Sequence, residues 1–259
     1  MSTNFLQPTK THQKPLYIII DERTPGEHAW TVINTLETLL KRFGREAGVS
    51  IERGYYYKLW CKDLYNPHCH PLSHIENCRG SDGKVNAICI LKLSKNERWQ
   101  QTKPHYDIHI VDNDIIYDGN PSTNLLFEYT IPAISSNGQI YPGFAGSVIS
   151  IGALKTFYRH NWETTFQIIA AQALGYLFGL PNPDSPYYIG YSHPLARENI
   201  RYFNHCSYEY CAMRQVNAVG SLYIDVLDLA KNILKHNPYY LYCEYDWGLL
   251  MRNLRRLFG

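Results

Sequence analysis

No stretch of this 259-residue chain approaches the roughly 18 uninterrupted apolar residues that a membrane helix requires, so no membrane partner is expected. The first fifteen residues, MSTNFLQPTKTHQKP, lack the apolar run of a secretory leader, which makes a cytoplasmic protein the expectation. A basic excess is missing too. Lysine plus arginine less aspartate plus glutamate is 25 − 23 = +2, too balanced for an electrostatic nucleic-acid binder. Neither a GxGxxG nor a GxxxxGK[ST] loop occurs, which argues against nucleotide enzymes of those classes. The seven cysteines are an odd number in a chain with no export signal, so reduced thiols or thiols on a metal are expected rather than a disulfide framework. What is present is ordinary globular composition, 45% hydrophobic and 19% charged, enough for one large domain or two small ones. Tyrosine is in excess, with 22 copies, as suits binding surfaces and half-buried packing alike.

Local patterning predicts an α/β order in the first two thirds and helix plus irregular chain in the last. Leu16 to Ile20 reads as a buried strand. Thr24, Pro25 and Glu27 read as N-cap, first position and capping-box partner of a helix. Trp30, Ile33, Leu36, Leu40 and Phe43 would be its apolar face and Gly44 its stop. Further strands are expected within Val49 to Trp60, Asp107 to Val111, Leu125 to Ile131 and Ser147 to Leu154. Helices are expected over Trp162 to Gly179, Tyr223 to Lys235 and Trp247 to Phe258. Lys84 to Asn96 is apolar at nearly every position and fits either type.

The segment His205 to Met213 has the form H-C-x4-C-x-M, with cysteines at Cys206 and Cys211. Upstream, Ala173 to Leu180 (ALGYLFGL) has the look of the end of an active-site helix. Together these resemble the archaemetzincins, metzincin-clan zinc peptidases with the pattern H-E-x-x-H-x-x-G-x-x-H-C-x4-C-x-M and a later C-x-x-C. Weaker likenesses at Lys84 to Leu93, Asp114 to Tyr117 and Ser147 to Ser150 extend the resemblance over roughly residues 14 to 259 and tip Lys84 to Asn96 towards helix. The resemblance implies a zincin-like α/β (α+β) fold with a twisted mixed sheet. It divides the chain into a flexible N-terminus (1–14), a subdomain ending in the active-site-type helix (15–180) and a smaller helical and irregular one with a methionine turn (181–259).

In the family, two histidines at i and i+4 share a zinc on one helix face, and the glutamate beside the first takes a proton from zinc-bound water. Here those positions hold Gln172, Tyr176 and Ala173. Gly179 is kept, the third histidine matches His205, and the methionine matches Met213. Residues 180 to 204 number 25 against two in the family pattern, an insertion of 23, and by spacing alone the third ligand falls on Asn182. Glutamine is a poor zinc ligand and alanine moves no proton, so no catalytic zinc is expected. The resemblance thus implies a catalytically deficient pseudo-peptidase whose cleft still binds a peptide or protein segment by strand addition, with Ser147, Ile149, Ile151 and Tyr176 as peptide-binding residues. The alternative is a metal-dependent peptidase or other enzyme with a site rebuilt around His205, drawing on His193, Glu198 or an acid/base group of Gln172, Tyr176 and His205.

The family's structural zinc, carried onto this chain, implies Cys206, Cys211, Cys243 and Asp246 as ligands, with Asp246 in place of the last cysteine. The other reading is a set of buried, reduced thiols. A further Cys/His tract, His68, Cys69, His70, His74 and Cys78, has the composition of a zinc or copper loop but no family spacing, and a solvated loop is the preferred reading of it. Cys61 and Cys89 read as core, and Tyr187 and Tyr188 as a ligand-binding wall or half-buried loop residues.

Overall fold

A computed structural model describes residues 14–21, 23–57, 60–61, 70–71, 73–117, 126–190, 204–214 and 225–259, with the backbone alone at 55–57, 60–61, 70–71 and 73–74. Strand β1 (Leu16–Ile20) is followed by helix α1 (Gly26–Ala47) and strand β2 (Arg53–Tyr57). Helix α2 (Ala87–Lys95) and strands β3 (Tyr106–Val111), β4 (Glu128–Ile131) and β5 (Gly146–Ser150) come next. Helices α3 (Ile151–Tyr158) and α4 (Trp162–Leu177) complete the first part. The remainder holds a two-residue ribbon, β6 (Tyr188–Ile189) with β7 (His205–Cys206), and helices α5 (Val226–His236) and α6 (Glu244–Phe258).

The central sheet runs β2-β1-β3-β5-β4. The first four strands are parallel, and β4 alone is antiparallel, paired to β5. The fold class is therefore α/β with a mixed, mostly parallel sheet, as expected. Parallel strands need helices on both faces, which explains why LYIII in β1 is apolar at all five positions and fully covered. The main core joins α1, α4, α5 and α6 to one face of the sheet, so the late helices pack into the same interior as the early strands. A smaller cluster fills the other face around α2.

Several local expectations are corrected. The α1 N-cap is Pro25 rather than Thr24, and no side chain caps it. The helix runs past Gly44 and stops at Gly48, whose φ of 67° is the left-handed cap that glycine tolerates. Gly44 instead serves packing: a Cβ there would stand 2.9 Å from the Val49 carbonyl oxygen. Ser147 to Leu154 is strand only to Ser150. The Ser150 hydroxyl accepts from the Ala153 amide at 2.9 Å and opens α3, the N-cap role its residue type favours. Asn86 does the same for α2 with the Cys89 amide. Helix α6 begins at Glu244, one turn before Trp247.

The thiol expectation is corrected as well. Cys78 and Cys89 form a disulfide between the residues just after the short helix Ser73–Asn77 and the first turn of α2. Cys78 is thereby removed from the Cys/His tract as a metal ligand, and Cys89 is not a free core thiol. His68 and Cys69 lie outside the described residues, as do the side chains of His70 and His74. Disulfides persist in oxidising compartments, so this bond lends the cytoplasmic expectation no support. No helix among the described residues is long and apolar enough to cross a membrane.

Candidate metal centre and cleft

Helix α4 is buried on nearly every side from Phe166 to Leu177, which accounts for its alanine-rich, uncharged second half. The segment 204–214 lies against it. Gln172 Nε2 donates to the Arg214 carbonyl at 3.0 Å, and the Tyr176 hydroxyl donates to the Asn204 carbonyl at 3.2 Å. Met213 is fully buried beneath the same helix, where a Cβ on Gly175 would meet its sulfur. Two of the helix positions singled out from the sequence, Gln172 and Tyr176, thus bond to the segment that carries His205 and Met213. His205 itself is half-buried in the β6–β7 ribbon, opposite Ile189. His193 and Glu198 lie outside the described residues.

The region around Tyr176 contains a carboxylate that the sequence reading missed. Glu128, at the start of β4, is buried, and its charge bears on the Tyr176 phenol. Burial first, and then that charge together with Asp246 and Cys211, push the phenol well above its ordinary range. Glu128 also accepts from Thr130 Oγ1 at 2.8 Å. Nothing in the residues 125–131 distinguishes this glutamate from a solvated one on an edge strand; only the packing of α4 against β4 does.

The peptide-binding residues inferred for the sheet edge are misplaced. Ser147 and Ile149 sit in β5, which has β3 on one side and β4 on the other, and both are fully buried, as is Ile151 at the start of α3. The last strand of the sheet beside the cleft is β4. Its residues Glu128, Tyr129 and Thr130 are 8%, 2% and 3% exposed.

The second cluster assembles as expected. Cys206, Cys211, Cys243 and Asp246 are all buried, and their ligand atoms lie within 4.8 Å of one another. Cys206 Sγ is 3.7 Å from Cys243 Sγ, and Cys211 Sγ is 3.2 Å from Asp246 Oδ2. A tetrahedron with metal–sulfur bonds of about 2.3 Å has edges of about 3.7 Å, so the spacing fits a zinc-sized ion. Three parts of the chain bring the ligands together. The Cys206 amide donates to the Met213 carbonyl, closing the H-C-x4-C turn on itself, and the Ala212 amide donates to the Leu241 carbonyl, joining that turn to the approach of α6. Tyr242, beside Cys243, ties the group to α4 by donating to the Ala171 carbonyl at 2.6 Å.

The charges of this group fit a cation. Thiol contacts from Cys206 and Cys211, with the Asp246 amide, pull the Cys243 thiol down to about 3. Burial, and then the Cys243 charge, push the Asp246 carboxyl up to about 7. Burial likewise raises Cys211. Burial opposes gathering several negative charges here, and a divalent ion would offset them.

No protein-family model matches the sequence, and no curated protein matches it either. Solved structures do. An archaemetzincin from Methanopyrus kandleri superimposes with a TM-score of 0.53 over 96% of this chain and 99% of that one, at 14% identity. The fold is archaemetzincin-like. A second archaemetzincin, from Archaeoglobus fulgidus and complexed with malonate, matches with a TM-score of 0.50 over 91% of this chain and 99% of its own, at 15% identity. A zinc-dependent peptidase from Methanocorpusculum labreanum also matches, with a TM-score of 0.47 and 12% identity.

Proposed function

We propose that this chain is a catalytically deficient archaemetzincin-like protein that holds one structural zinc and receives a peptide or protein segment in its cleft without cutting it. One observation carries the reading: the side chains at both helix ligand positions are spent on backbone carbonyls, Gln172 on Arg214 and Tyr176 on Asn204. Each bond ties α4 to the segment that carries His205 and Met213. Ala173 offers no group to move a proton.

Zinc at Cys206, Cys211, Cys243 and Asp246 would supply a cross-link between the H-C-x4-C turn and the start of α6, and no chemistry beyond that. The closed four-ligand set supports a structural role, because a catalytic site keeps a position open. A peptide would enter beside β4 as an added antiparallel strand, which requires whatever now covers Glu128 to Thr130 to move.

The test is a peptide library presented to zinc-loaded protein, read for cleavage by mass spectrometry and for retention by hydrogen exchange. Retained, uncut peptide with new protection at Glu128–Ile131 is the expected result. Cleavage abolished by His205→Ala overturns the pseudo-peptidase reading, and failure to retain any peptide overturns the binding reading.

A second reading, an enzyme rebuilt around His205, draws on the buried Glu128 beside Tyr176. The same burial that brings them together raises the phenol and makes it a poorer acid, which is why this reading ranks second. It would show as turnover lost in both Glu128→Gln and His205→Ala.

A further inference from the structure

A cavity of about 630 Å³ has Cys243 in its wall but not Tyr176. Its size is that of a small-molecule site. Five aromatic rings contribute to the wall: Tyr187 and Tyr208 from the β6–β7 region, and Tyr240, Tyr242 and Trp247 from the approach to α6 and its first turn. The rings meet at mixed angles, with Tyr242 and Trp247 stacked at 6.4 Å and 30°. Tyr240 and Trp247 meet edge-to-face at 5.1 Å between centroids and 71°, and Tyr187 and Tyr208 are tilted at 4.9 Å and 46°. Tyr242 is 1% exposed and bonded to α4, so it is held rigidly, whereas Tyr240 is 46% exposed.

The charge on the wall has one sign. Glu244 is the only acidic residue that lines the cavity, and no lysine or arginine does among the described residues. His236 also lines it, with its ring stacked on Tyr210 at 4.7 Å. Arg42 does not line the cavity: it lies over the Tyr239 ring and donates to the carbonyls of Pro238 and Tyr239, although its charge reaches Tyr242.

Several electron-rich faces around one carboxylate recognise a cation that is large, weakly hydrated and poor at hydrogen bonding. An alkylated ammonium fits, because its methyl groups cover ring faces while its charge is drawn to the ring quadrupoles and the acid. We propose that this cavity binds a quaternary or otherwise alkylated ammonium group, independently of what the cleft at Tyr176 does. Such a group occurs in free amines of the choline type and in trimethylated lysine side chains, and the chemistry of recognition is common to both.

The test compares choline with 3,3-dimethyl-1-butanol, its uncharged carbon isostere, by calorimetry on the zinc-loaded chain, with a short peptide carrying trimethyllysine and the same peptide unmethylated as further probes. Saturable choline binding at least about tenfold tighter than the isostere is the expected result. Tighter binding of the trimethyllysine peptide than of choline assigns the group to a protein side chain, and the reverse order to a small molecule. Glu244→Gln should weaken choline binding while leaving the isostere unchanged. Tyr240→Leu, at an exposed ring, should weaken choline binding with no change in thermal midpoint. Equal affinity for choline and the isostere overturns the proposal in favour of an apolar cavity. So does an absence of saturation by both choline and the trimethyllysine peptide, or binding that Tyr240→Leu and Glu244→Gln both leave intact.

Discussion

The backbone amide of Asn182 donates to Oδ1 of Asp246 at 2.7 Å, which leaves Oδ2 turned towards the Cys211 sulfur at 3.2 Å. Asn182 is the residue on which uninterrupted motif spacing would place the third zinc-binding histidine. The structure uses its main chain instead, to aim the fourth member of the cysteine cluster. An oriented carboxylate is what an outer hydrogen bond to a metal ligand normally achieves. The expected outcome is one zinc per chain by elemental analysis of protein loaded with zinc and desalted. Asp246→Ala and Cys211→Ser should each release it, and chelation should lower the thermal midpoint of the unaltered chain. An unchanged midpoint after complete chelation would count against a structural metal and leave the buried-thiol reading.

Gly175 tests the methionine turn without touching any polar group. An added Cβ would stand 2.4 Å from Met213 Sδ and 3.3 Å from Tyr242 Cε1. Because Tyr242 is anchored to the Ala171 carbonyl, Met213 has to give way, so Gly175→Ala should cost about 1–3 kcal/mol through overpacking despite the better helix propensity of alanine. Urea unfolding measures it. A variant as stable as its parent would mean that Met213 does not pack under α4 as described.

Tyr176→Phe removes a single hydroxyl and leaves the Asn204 carbonyl short of its partner in a buried place. The cost should be about 1 kcal/mol, with zinc retained. If the hydroxyl instead served in turnover, peptide cleavage would fall while stability held.

The elements were legible where one period dominated: β1, α1, α4 and α5 follow directly from apolar runs and three-four spacing. That Cys206, Cys211, Cys243 and Asp246 gather was legible as well, because the resemblance at H-C-x4-C-x-M points to that pairing and Cys243 and Asp246 retain the later motif's spacing. Sheet order was not. Ser147 to Ile151 reads as a strand with or without neighbours, and nothing in its sequence says that β4, earlier in the chain, lies outside it. The Cys78–Cys89 bond was missed because pairing depends on which residues the fold brings together, not on how many cysteines there are. The importance of Glu128 and of the aromatic cavity was hidden for the same reason, since tyrosines at 187, 208, 240 and 242 meet only through tertiary packing.

That disulfide gives a direct check on the chain's redox state. Digestion without reductant, after blocking free thiols, should yield a linked pair of peptides containing Cys78 and Cys89, while Cys206, Cys211 and Cys243 should be alkylated once the metal is removed. Recovery of Cys78 and Cys89 as alkylated thiols from native material would refute the bond.

A buried ionic group lies on and beside β3. His105 Nε2 lies 3.0 Å from Asp107 Oδ1, and His109 Nε2 lies 3.6 Å from Asp107 Oδ2, with all three side chains fully buried on or beside β3. Ser94 Oγ meets His109 Nε2 at 2.9 Å, the Lys103 carbonyl meets His105 Nδ1 at 2.6 Å, the Trp99 ring packs on His105, and the Glu97 charge adds to the field. Burial lowers His105, but the Asp107 carboxylate outweighs it and leaves the imidazole above its ordinary value. Burial raises Asp107, and the two histidines overcome that and hold it below the usual carboxylate range. The two shifts act in different windows. The histidine's contribution is complete below about pH 6.5 and is lost as pH rises through its raised folded value. The carboxylate's contribution is present above about pH 3.9 and is lost as pH falls through its lowered folded value. Unfolding free energy should therefore decline on the alkaline side, and Asp107→Asn should flatten that decline while costing about 3–5 kcal/mol near neutrality. Urea titrations of both proteins from pH 5 to about 9 decide it, and an alkaline slope that Asp107→Asn leaves intact would assign the dependence to other groups.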